Sequence, residues 1–385
     1  MTNYFSSNFK LGILGGGQLG KMLLYTTRKF DIYTSVLDSS DEAPCKIASN
    51  EFHLGDLMDY DAVYKFGKQV DVLTIEIENV NVDALETLEK EGVKVYPASK
   101  TLRQIQNKAK QKLFYVDNNI PTSDFSRFAY LSEIEDAVLN GGLEFPFVWK
   151  AAQFGYDGNG VKVVRSLSDL EGLPKGECIA EDLIPFKNEL AVIVARSVSG
   201  ETKTYPVVEM EFHPEANQVE YVICPARISD TVAKKAEVVA LKTSKAFNHI
   251  GILAVEMFQT NDDNILVNEV APRPHNSGHQ TIEASYTSQF EQHIRAILDL
   301  PLGRTDSKVG GVMVNLVGAE GYTGNVVYEN IENIMKMDGV TPHIYGKKQT
   351  RPFRKMGHVT IVNEDLNEAR RVAEEVKKRI KVISQ

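Results

Sequence analysis

The chain has 385 residues, of which 43% are hydrophobic and 25% charged, an ordinary composition for a globular protein of two or three domains. Its formal net charge of -9 argues against a non-specific nucleic-acid-binding protein, because phosphate backbones are bound through surplus Lys and Arg. Binding of small phosphorylated ligands remains possible, because it needs only local basic pockets.

The three cysteines, Cys45, Cys178 and Cys224, are far apart and have no CxxC spacing, so we expect neither disulfides nor a zinc site. We also expect no secretory signal and no membrane span, since no apolar run has the required length. These features together predict a cytoplasmic protein.

Short apolar runs alternate with helical patterns in the first hundred residues, which predicts a parallel sheet with crossover helices. The predicted strands cover residues 9–14, 32–37, 70–75 and 93–96. A polar helix is predicted over residues 102–118, before a domain boundary near Ile120 and Pro121.

A glycine-rich motif, residues 15–20, follows the first strand and matches G-x-G-x-x-G, and Asp38 ends the next strand. This spacing is typical of dinucleotide-binding folds, so an NAD-dependent oxidoreductase is one hypothesis. Such glycines also let a helix approach a sheet closely or bind another anion.

The sequence of the middle of the chain predicts an α+β domain with much antiparallel sheet. A strand over residues 145–149 ends in Lys150, and the glycine-rich residues 155–160 connect it to a strand over 161–164, so this hairpin could fold over a ligand. Further strands are predicted over 178–184, 189–196, 204–211 and 219–223. The last part, from about residue 300, reads as a small appended domain with a strand over 311–317 and an amphipathic helix from Leu366.

Two acidic residues lie on the apolar runs 252–258 and 265–270, which a polar turn at 261–264 joins into a predicted hairpin. If the turn centres between Asp262 and Asp263, Glu256 and Glu269 face each other. Opposed carboxylates are costly to bury, and Mg²⁺ bridging nucleotide phosphates would relieve the cost, with Asn268 as a further oxygen ligand. The alternative is that the carboxylates reach solvent at a sheet edge.

Basic and amide groups are concentrated in two later segments. Residues 273–279 follow the carboxylate strand directly, and Pro272 and Pro274 keep them extended. Lys347, Lys348, Arg351, Arg354 and Lys355 form a cluster that would suit a phosphomonoester, although such clusters are usually solvated surface.

Several motifs together resemble the ATP-grasp family and, within it, the 5-(carboxyamino)imidazole ribonucleotide synthetases of purine biosynthesis. They are GGGQLGKM at 15–22, ENV at 78–80, NEVAPRPHNSGH at 268–279, HIYGK at 343–347 and RKMGH at 354–358. The resemblance implies a mixed α/β and α+β architecture. Its parts would be an N-terminal Rossmann-like domain (1–106), a central two-lobed ATP-grasp domain (107–300) and a small C-terminal domain (301–385).

The resemblance also implies a role for each matching position. The ATP-binding residues would be Lys108 and Lys150 at the phosphates, Glu181, Asp182, Leu183 and Ile184 along the adenine, Glu189 at the ribose, and also Gly155, Gly158, Gly160, His213, Asn268 and Glu269. The ligands of Mg²⁺, or of Mn²⁺ as the alternative ion, would be Glu256, Asn268 and Glu269. The catalytic residues would be Glu76, Tyr156, Asp157, Arg273 and His275, and the ribonucleotide would contact Gln18, Asn276, Lys347, Arg351, Arg354 and Lys355.

The activity implied is carboxylation of aminoimidazole ribonucleotide with ATP and bicarbonate through carboxyphosphate, in a homodimer that passes its product to a mutase. Neither nucleic acid nor membrane would be a partner. A formate-using glycinamide ribonucleotide transformylase is the alternative. The resemblance disfavours the hypothesis of an NAD-dependent oxidoreductase, which becomes the third possibility. Three positions depart from the family pattern: Asn159 where a cation is usual, Val161 where Gln is usual, and Lys108 where Arg is usual.

Overall fold

The computed structural model describes residues 3–153, 160–213 and 218–385 of the chain. The first elements are β1 Lys10–Leu14, α1 Gln18–Lys29, β2 Tyr33–Asp38, β3 Glu51–Leu54, α2 Tyr60–Gly67, β4 Val72–Ile75, α3 Val82–Lys90 and β5 Lys94–Tyr96. All neighbouring strands are parallel, in the order β3-β2-β1-β4-β5. The four predicted strands and the parallel sheet are confirmed. Strand β3 was missed because it is a partly exposed edge strand without a continuous apolar run.

The predicted helix over 102–118 is wrong as a single element, since two helices, α4 Ser99–Ile105 and α5 Lys108–Asp117, occupy this region. Asn107 interrupts the helix because its backbone is extended and its side-chain oxygen accepts a hydrogen bond from Lys110 N at 2.9 Å. An Asn that caps the second helix in this way favours a new helix start over continuation.

A small lobe follows, made of β6 Phe125–Phe128, α6 Leu131–Leu139, β7 Phe147–Ala151, β8 Val161–Val164 and β9 Cys178–Asp182. Its antiparallel sheet has the order β6-β9-β7-β8, and Phe147 and Trp149 lie in its core. The predicted hairpin of two strands on either side of the glycine-rich segment is confirmed by the β7–β8 pairing.

The elements of the large lobe are β10 Phe186–Arg196, β11 Thr202–Thr204, β12 Val208–Phe212, β13 Val219–Cys224, α7 Asp230–Phe247, β14 Gly251–Thr260, β15 Ile265–Ala271, α8 Thr281–Ala284 and α9 Gln289–Ile297. The predicted strand over 204–211 is divided into β11 and β12 around Pro206, which has no backbone N–H to donate to a sheet. Helix α7 packs on β10 and closes a core that contains Leu190, Val192 and Val255.

The remaining elements are β16 Gly310–Val317, β17 Gly324–Glu329, α10 Ile331–Ile334, β18 Val340–Ile344, β19 Gln349–Thr350, β20 Lys355–Asn363, α11 Leu366–Arg379 and β21 Lys381–Ser384. Strand β16 pairs with β13, so the large sheet runs in the order β15-β14-β10-β12-β13-β16-β20-β18. The C-terminal part therefore extends the central sheet, while β19, β17 and β21 form a separate small sheet. Over the described residues, no helix combines the length and the apolar character needed to cross a membrane.

Candidate active site

The β14–β15 hairpin places Glu256 directly opposite Glu269, as the sequence predicts. The predicted centre of the turn is wrong, however, because Gln259 pairs with Ile265 and the register shifts between Glu256 and Met257. This shift is a β-bulge in which Asn268 is the additional residue. Because a bulge interrupts the alternation of side chains, Asn268 and Glu269 both contact lysines of the same cleft.

Lys108 and Lys150, the lysines predicted to bind phosphate, both lie at this hairpin. The Lys108 ammonium forms an ion pair with Glu269 Oε2. Lys150 Nζ donates to Asn268 Oδ1 at 2.9 Å and lies 3.1 Å from Glu181 Oε2. Two cations from different elements thus converge on the strand that carries the predicted metal ligands.

The two opposed carboxylates have opposite electrostatic environments. Burial and the neighbouring Glu269 carboxylate raise the pKa of Glu256, whereas the Lys108 ammonium holds the pKa of Glu269 well below its usual range. The side chain of Glu256 is 13% exposed and that of Glu269 is 41% exposed, and two carboxylates this close, next to an amide oxygen, are a donor set that fits a hard divalent cation. Glu256, Asn268 and Glu269 are therefore the residues that would hold Mg²⁺.

The predicted adenine and ribose residues border the same cleft. Glu181 is buried in β9, Asp182 ends that strand, and Leu183 and Ile184 continue towards β10. Burial raises the pKa of Glu189 to about 7, against the opposing charge of Lys150. The ring of His213 instead lies 6.1 Å from the ring of Phe353, beside the C-terminal basic cluster.

The glycine-rich loop before α1 encloses a carboxylate. Leu19 N donates to Glu76 Oε1 at 3.0 Å, and Gly16 N donates to Asp38 Oδ2 at 2.6 Å. A Cβ on Gly17 would lie 2.5 Å from Glu76 Oε1, so only glycine leaves room for this side chain. Two backbone donors of the loop are thus used within the protein, which disfavours the dinucleotide-binding hypothesis, while Gln18 stays half-buried at the start of α1.

The segment after β15 joins the carboxylates of two domains. Arg273 Nε lies 2.9 Å from Glu78 Oε2, and His275 Nε2 lies 3.3 Å from Glu256 Oε1. Asn276 exchanges two hydrogen bonds of 2.9 Å with the amide of Asn315 in β16. The predicted catalytic residues Arg273 and His275 therefore lie between Glu78 and Glu256, whereas the side-chain amide of Asn276 is paired with the C-terminal part.

The C-terminal basic cluster approaches both carboxylates. Burial is the main influence on the pKa of Glu76 and of Glu256 and raises both, but Lys347 is close enough to oppose it at Glu76 and Lys355 at Glu256. Burial and the nearby Arg351 guanidinium lower the pKa of Arg354, whose Nη1 donates to Gln349 O at 2.6 Å. The cluster is thus partly buried and faces the predicted substrate site.

Four predicted site residues, Gly155, Tyr156, Asp157 and Gly158, lie outside the described residues, as does Asn159. Gly160 is described, has a φ of +80° and accepts a backbone hydrogen bond from Ala151 at 2.9 Å. Sequence reasoning missed Asn315 and Lys112, which contact predicted site residues. Lys112 follows Lys108 by one helical turn, and that spacing is a signal that could have identified it.

Comparisons with known proteins identify the family to which each part of the chain is similar. Residues 9–106 match the ribonucleotide synthetase preATP-grasp domain, residues 113–290 the ATP-grasp domain, and residues 311–372 the phosphoribosylaminoimidazole carboxylase C-terminal domain. The chain is 39% identical over 373 residues to the phosphoribosylaminoimidazole carboxylase of Candida albicans, covering 93% of this chain but 65% of that protein. It therefore spans about two thirds of the length of this curated relative.

Two solved structures cover nearly the whole chain. The N5-carboxyaminoimidazole ribonucleotide synthetase of Thermotoga maritima is 42% identical with a TM-score of 0.90, covering 98% of this chain and 100% of that one. The Aspergillus clavatus N5-carboxyaminoimidazole synthase, solved with ADP and 5-aminoimidazole ribonucleotide, is 34% identical with a TM-score of 0.87, covering 96% and 98%.

Proposed function

The chain belongs to the N5-carboxyaminoimidazole ribonucleotide synthetase family of ATP-grasp ligases, and we propose that it carboxylates the amine of 5-aminoimidazole ribonucleotide in purine biosynthesis. ATP would be converted to ADP and phosphate, and bicarbonate would supply the carboxyl group. The observation that carries the proposal is the convergence of Lys108, Lys150, Asn268 and the opposed carboxylates Glu256 and Glu269 in one cleft.

The first step would be attack of a bicarbonate oxygen on the γ-phosphate of ATP, which gives carboxyphosphate and ADP. Phosphoryl transfer depends mainly on alignment and on neutralisation of charge. Lys108 and Lys150 would leave their present carboxylate and amide partners for phosphate oxygens. Mg²⁺, or Mn²⁺, held by Glu256, Asn268 and Glu269 would neutralise charge on the phosphates.

The second step would be capture of carboxyphosphate, or of carbon dioxide released from it, by the substrate amine. Arg273 and His275 lie between Glu76 and Glu256, which supports placing the ribonucleotide there. Its phosphate would bind the basic cluster of Lys347, Arg351, Arg354 and Lys355. The family resemblance supports contacts from Gln18, Tyr156 and Asp157, and a lid role for residues 155–160 that keeps water from the intermediate.

Other parts of the proposal rest on the family resemblance. We place the domain boundaries after residues 106 and 300, the protein in the cytoplasm, and the active form in a homodimer. A carboxyaminoimidazole ribonucleotide mutase would consume the product.

The experiment is a measurement of ADP release with Mg²⁺ and ATP, omitting bicarbonate and 5-aminoimidazole ribonucleotide in turn. We expect rapid ADP formation only when both are present, together with an equal amount of carboxylated product. Formate with glycinamide ribonucleotide serves as the control for the alternative ligase. ADP formation that needs formate, or that is the same without the ribonucleotide, would contradict the proposal.

A further inference from the structure

Lys112 is a fully buried lysine that the reaction proposed above does not use. Its residue is 1% exposed, in the middle of α5. Lysines are almost never buried to this degree unless they are paired, because the ammonium loses its hydration. Burial lowers the pKa of Lys112 to about 8, opposed by Glu181, so the side chain is still mainly charged at neutral pH. The free energy lost when this charge is removed from water must be offset by the groups that surround the ammonium.

The Lys112 ammonium lies where the chain enters the small lobe from α5. It donates to Thr122 Oγ1 at 2.5 Å and to Ser123 Oγ at 2.8 Å, and it lies 3.7 Å from Glu181 Oε2 in β9. Thr122 in turn donates to Val267 O of β15 at 2.8 Å. Lys112 therefore connects the incoming segment and the outgoing strand of the small lobe with the strand that carries the predicted metal ligands.

One carboxylate oxygen in this region is shared by two cations. Glu181 Oε2 lies 3.1 Å from Lys150 Nζ and 3.7 Å from Lys112 Nζ, and it accepts a hydrogen bond of 3.1 Å from Ser123 Oγ. The side chain of Glu181 is only 5% exposed, so water cannot replace these partners. Two cations thus lie within 4 Å of this one carboxylate oxygen, so Glu181 keeps a counter-charge if either of them moves away.

The two lysines differ in what else they can reach. Lys150 also donates to Asn268, at the edge of the predicted phosphate site, whereas Lys112 donates only inward, to Thr122 and Ser123, among the contacts described above. When a nucleotide arrives, Lys150 can turn to its phosphates only if Glu181 keeps another counter-charge. A buried carboxylate left without one is strongly destabilising.

We propose that Lys112 is a positioning residue of the nucleotide site: it remains with Glu181 as the buried counter-charge, so that Lys150 is free to leave this carboxylate and bind the nucleotide phosphates. The inference rests on the proposed function, because it assumes that Lys150 binds phosphate. Lys112 itself contacts neither nucleotide nor metal in this scheme. Its effect is exerted through the balance of charge at Glu181.

The test is the affinity for Mg·ADP, measured by calorimetry on the full chain. In Lys112→Met, Lys150 must stay with Glu181, so we expect the Kd to rise about tenfold or more, with a parallel rise in KM for ATP and little change in KM for the ribonucleotide. Lys110→Met is the matched control, because Lys110 is an exposed lysine of the same helix, and it should bind like the wild type.

A second variant separates charge balance from packing. Lys112→Gln keeps a donor for Thr122 and Ser123 but not the charge, so its Kd should rise as much as that of Lys112→Met. If Lys112 acted only through its hydrogen bonds, Lys112→Gln would bind Mg·ADP nearly as tightly as the wild type. If Lys112→Met does not fold, Lys112→Gln is compared with the wild type and with Lys110→Gln.

Wild-type Kd in Lys112→Met or in Lys112→Gln would overturn the inference. Failure of the wild-type protein to bind Mg·ADP would instead overturn the proposed function, so the two failures are distinguishable.

Discussion

The glycine loop before α1 and the β14–β15 hairpin each hold a carboxylate of the candidate site, but different kinds of partner stabilise it. Glu76 accepts the backbone N–H of Leu19, a donor that is fixed in position by the start of a helix. Glu269 is paired with the side chain of Lys108 and faces a second carboxylate, Glu256. A backbone donor cannot leave, whereas a lysine can turn to another anion.

This difference separates a permanent scaffold from an exchangeable site. The backbone N–H groups of the glycine motif donate hydrogen bonds to the protein's own carboxylates, Asp38 and Glu76, and these bonds give the loop a fixed shape. At the hairpin, the cations and the opposed carboxylates match a ligand that brings both phosphates and a metal ion. The two regions should therefore respond differently to substitution.

Glu269→Gln should have the largest effect, because it removes the charge of a predicted metal ligand without changing its size. We expect the rate of ADP formation to fall at least about a hundredfold while the fold persists. Asp262→Asn, the same chemical change at an exposed position of the turn, is the control. Full activity of Glu269→Gln at ordinary magnesium concentration would show that the hairpin is not the metal site.

Gly17→Ala tests the rigid region, since the new Cβ would meet Glu76 Oε1 at 2.5 Å and displace the carboxylate from Leu19 N. We expect the free energy of unfolding to fall by about 1–3 kcal/mol in chemical denaturation. Gly176→Ala is the matched control, because nothing lies within 4 Å of its added Cβ. If Gly17→Ala and Gly176→Ala had the same free energy of unfolding, the glycine loop would accommodate the new Cβ without strain and would not be rigid.

Arg354→Ala examines the basic cluster that faces both regions. Loss of a charge-assisted contact with the substrate phosphate should raise KM for the ribonucleotide on the order of tenfold and leave KM for ATP nearly unchanged. Lys348→Ala removes a neighbouring exposed cation that is paired with Glu42 and serves as the control. An unchanged KM for the ribonucleotide would identify the cluster as solvated surface.

His293 connects β4 of the first domain with β14 of the hairpin and should make this junction sensitive to acid. Its Nδ1 accepts a hydrogen bond from Ile252 N in β14 at 3.1 Å, and its Nε2 lies 2.9 Å from Thr74 Oγ1 in β4. Burial lowers its pKa to about 3 from the ordinary 6.5, so the unfolded chain binds the proton first as the pH falls. The stability contributed by neutral His293 is complete above pH 6.5 and is lost as the pH falls from 6.5 towards 3.

Between pH 6 and pH 5 this residue should cost about 1 kcal/mol of unfolding free energy. His293→Gln is expected to be less stable at neutral pH but to lose less stability on acidification, measured by denaturation at both pH values. The partly exposed His53, changed to Gln, is the control for the general pH dependence. The same acid loss in His293→Gln and wild type would contradict the assignment.

Elements with a strong local pattern could be predicted from the sequence. The parallel strands of the first domain follow from alternating apolar runs, and the pairing of Glu256 with Glu269 follows from hairpin spacing. That pairing is right although the turn centre is wrong, because the bulge at Asn268 compensates for the shift. The bulge was not predicted because β15 is an almost continuous apolar run, in which the change of phase at Asn268 and Glu269 is visible only once the pairing with β14 is known.

Which distant residues share a site follows from how the elements pack. The pairing of β13 with β16, which joins the C-terminal part to the central sheet, has no local signal. The contacts of Lys112 with Glu181 and of Asn276 with Asn315 also depend on elements far apart in the chain. Their physical reason is the burial of polar groups: a buried charge or amide must find a partner, and the packing of the elements determines which partner is within reach.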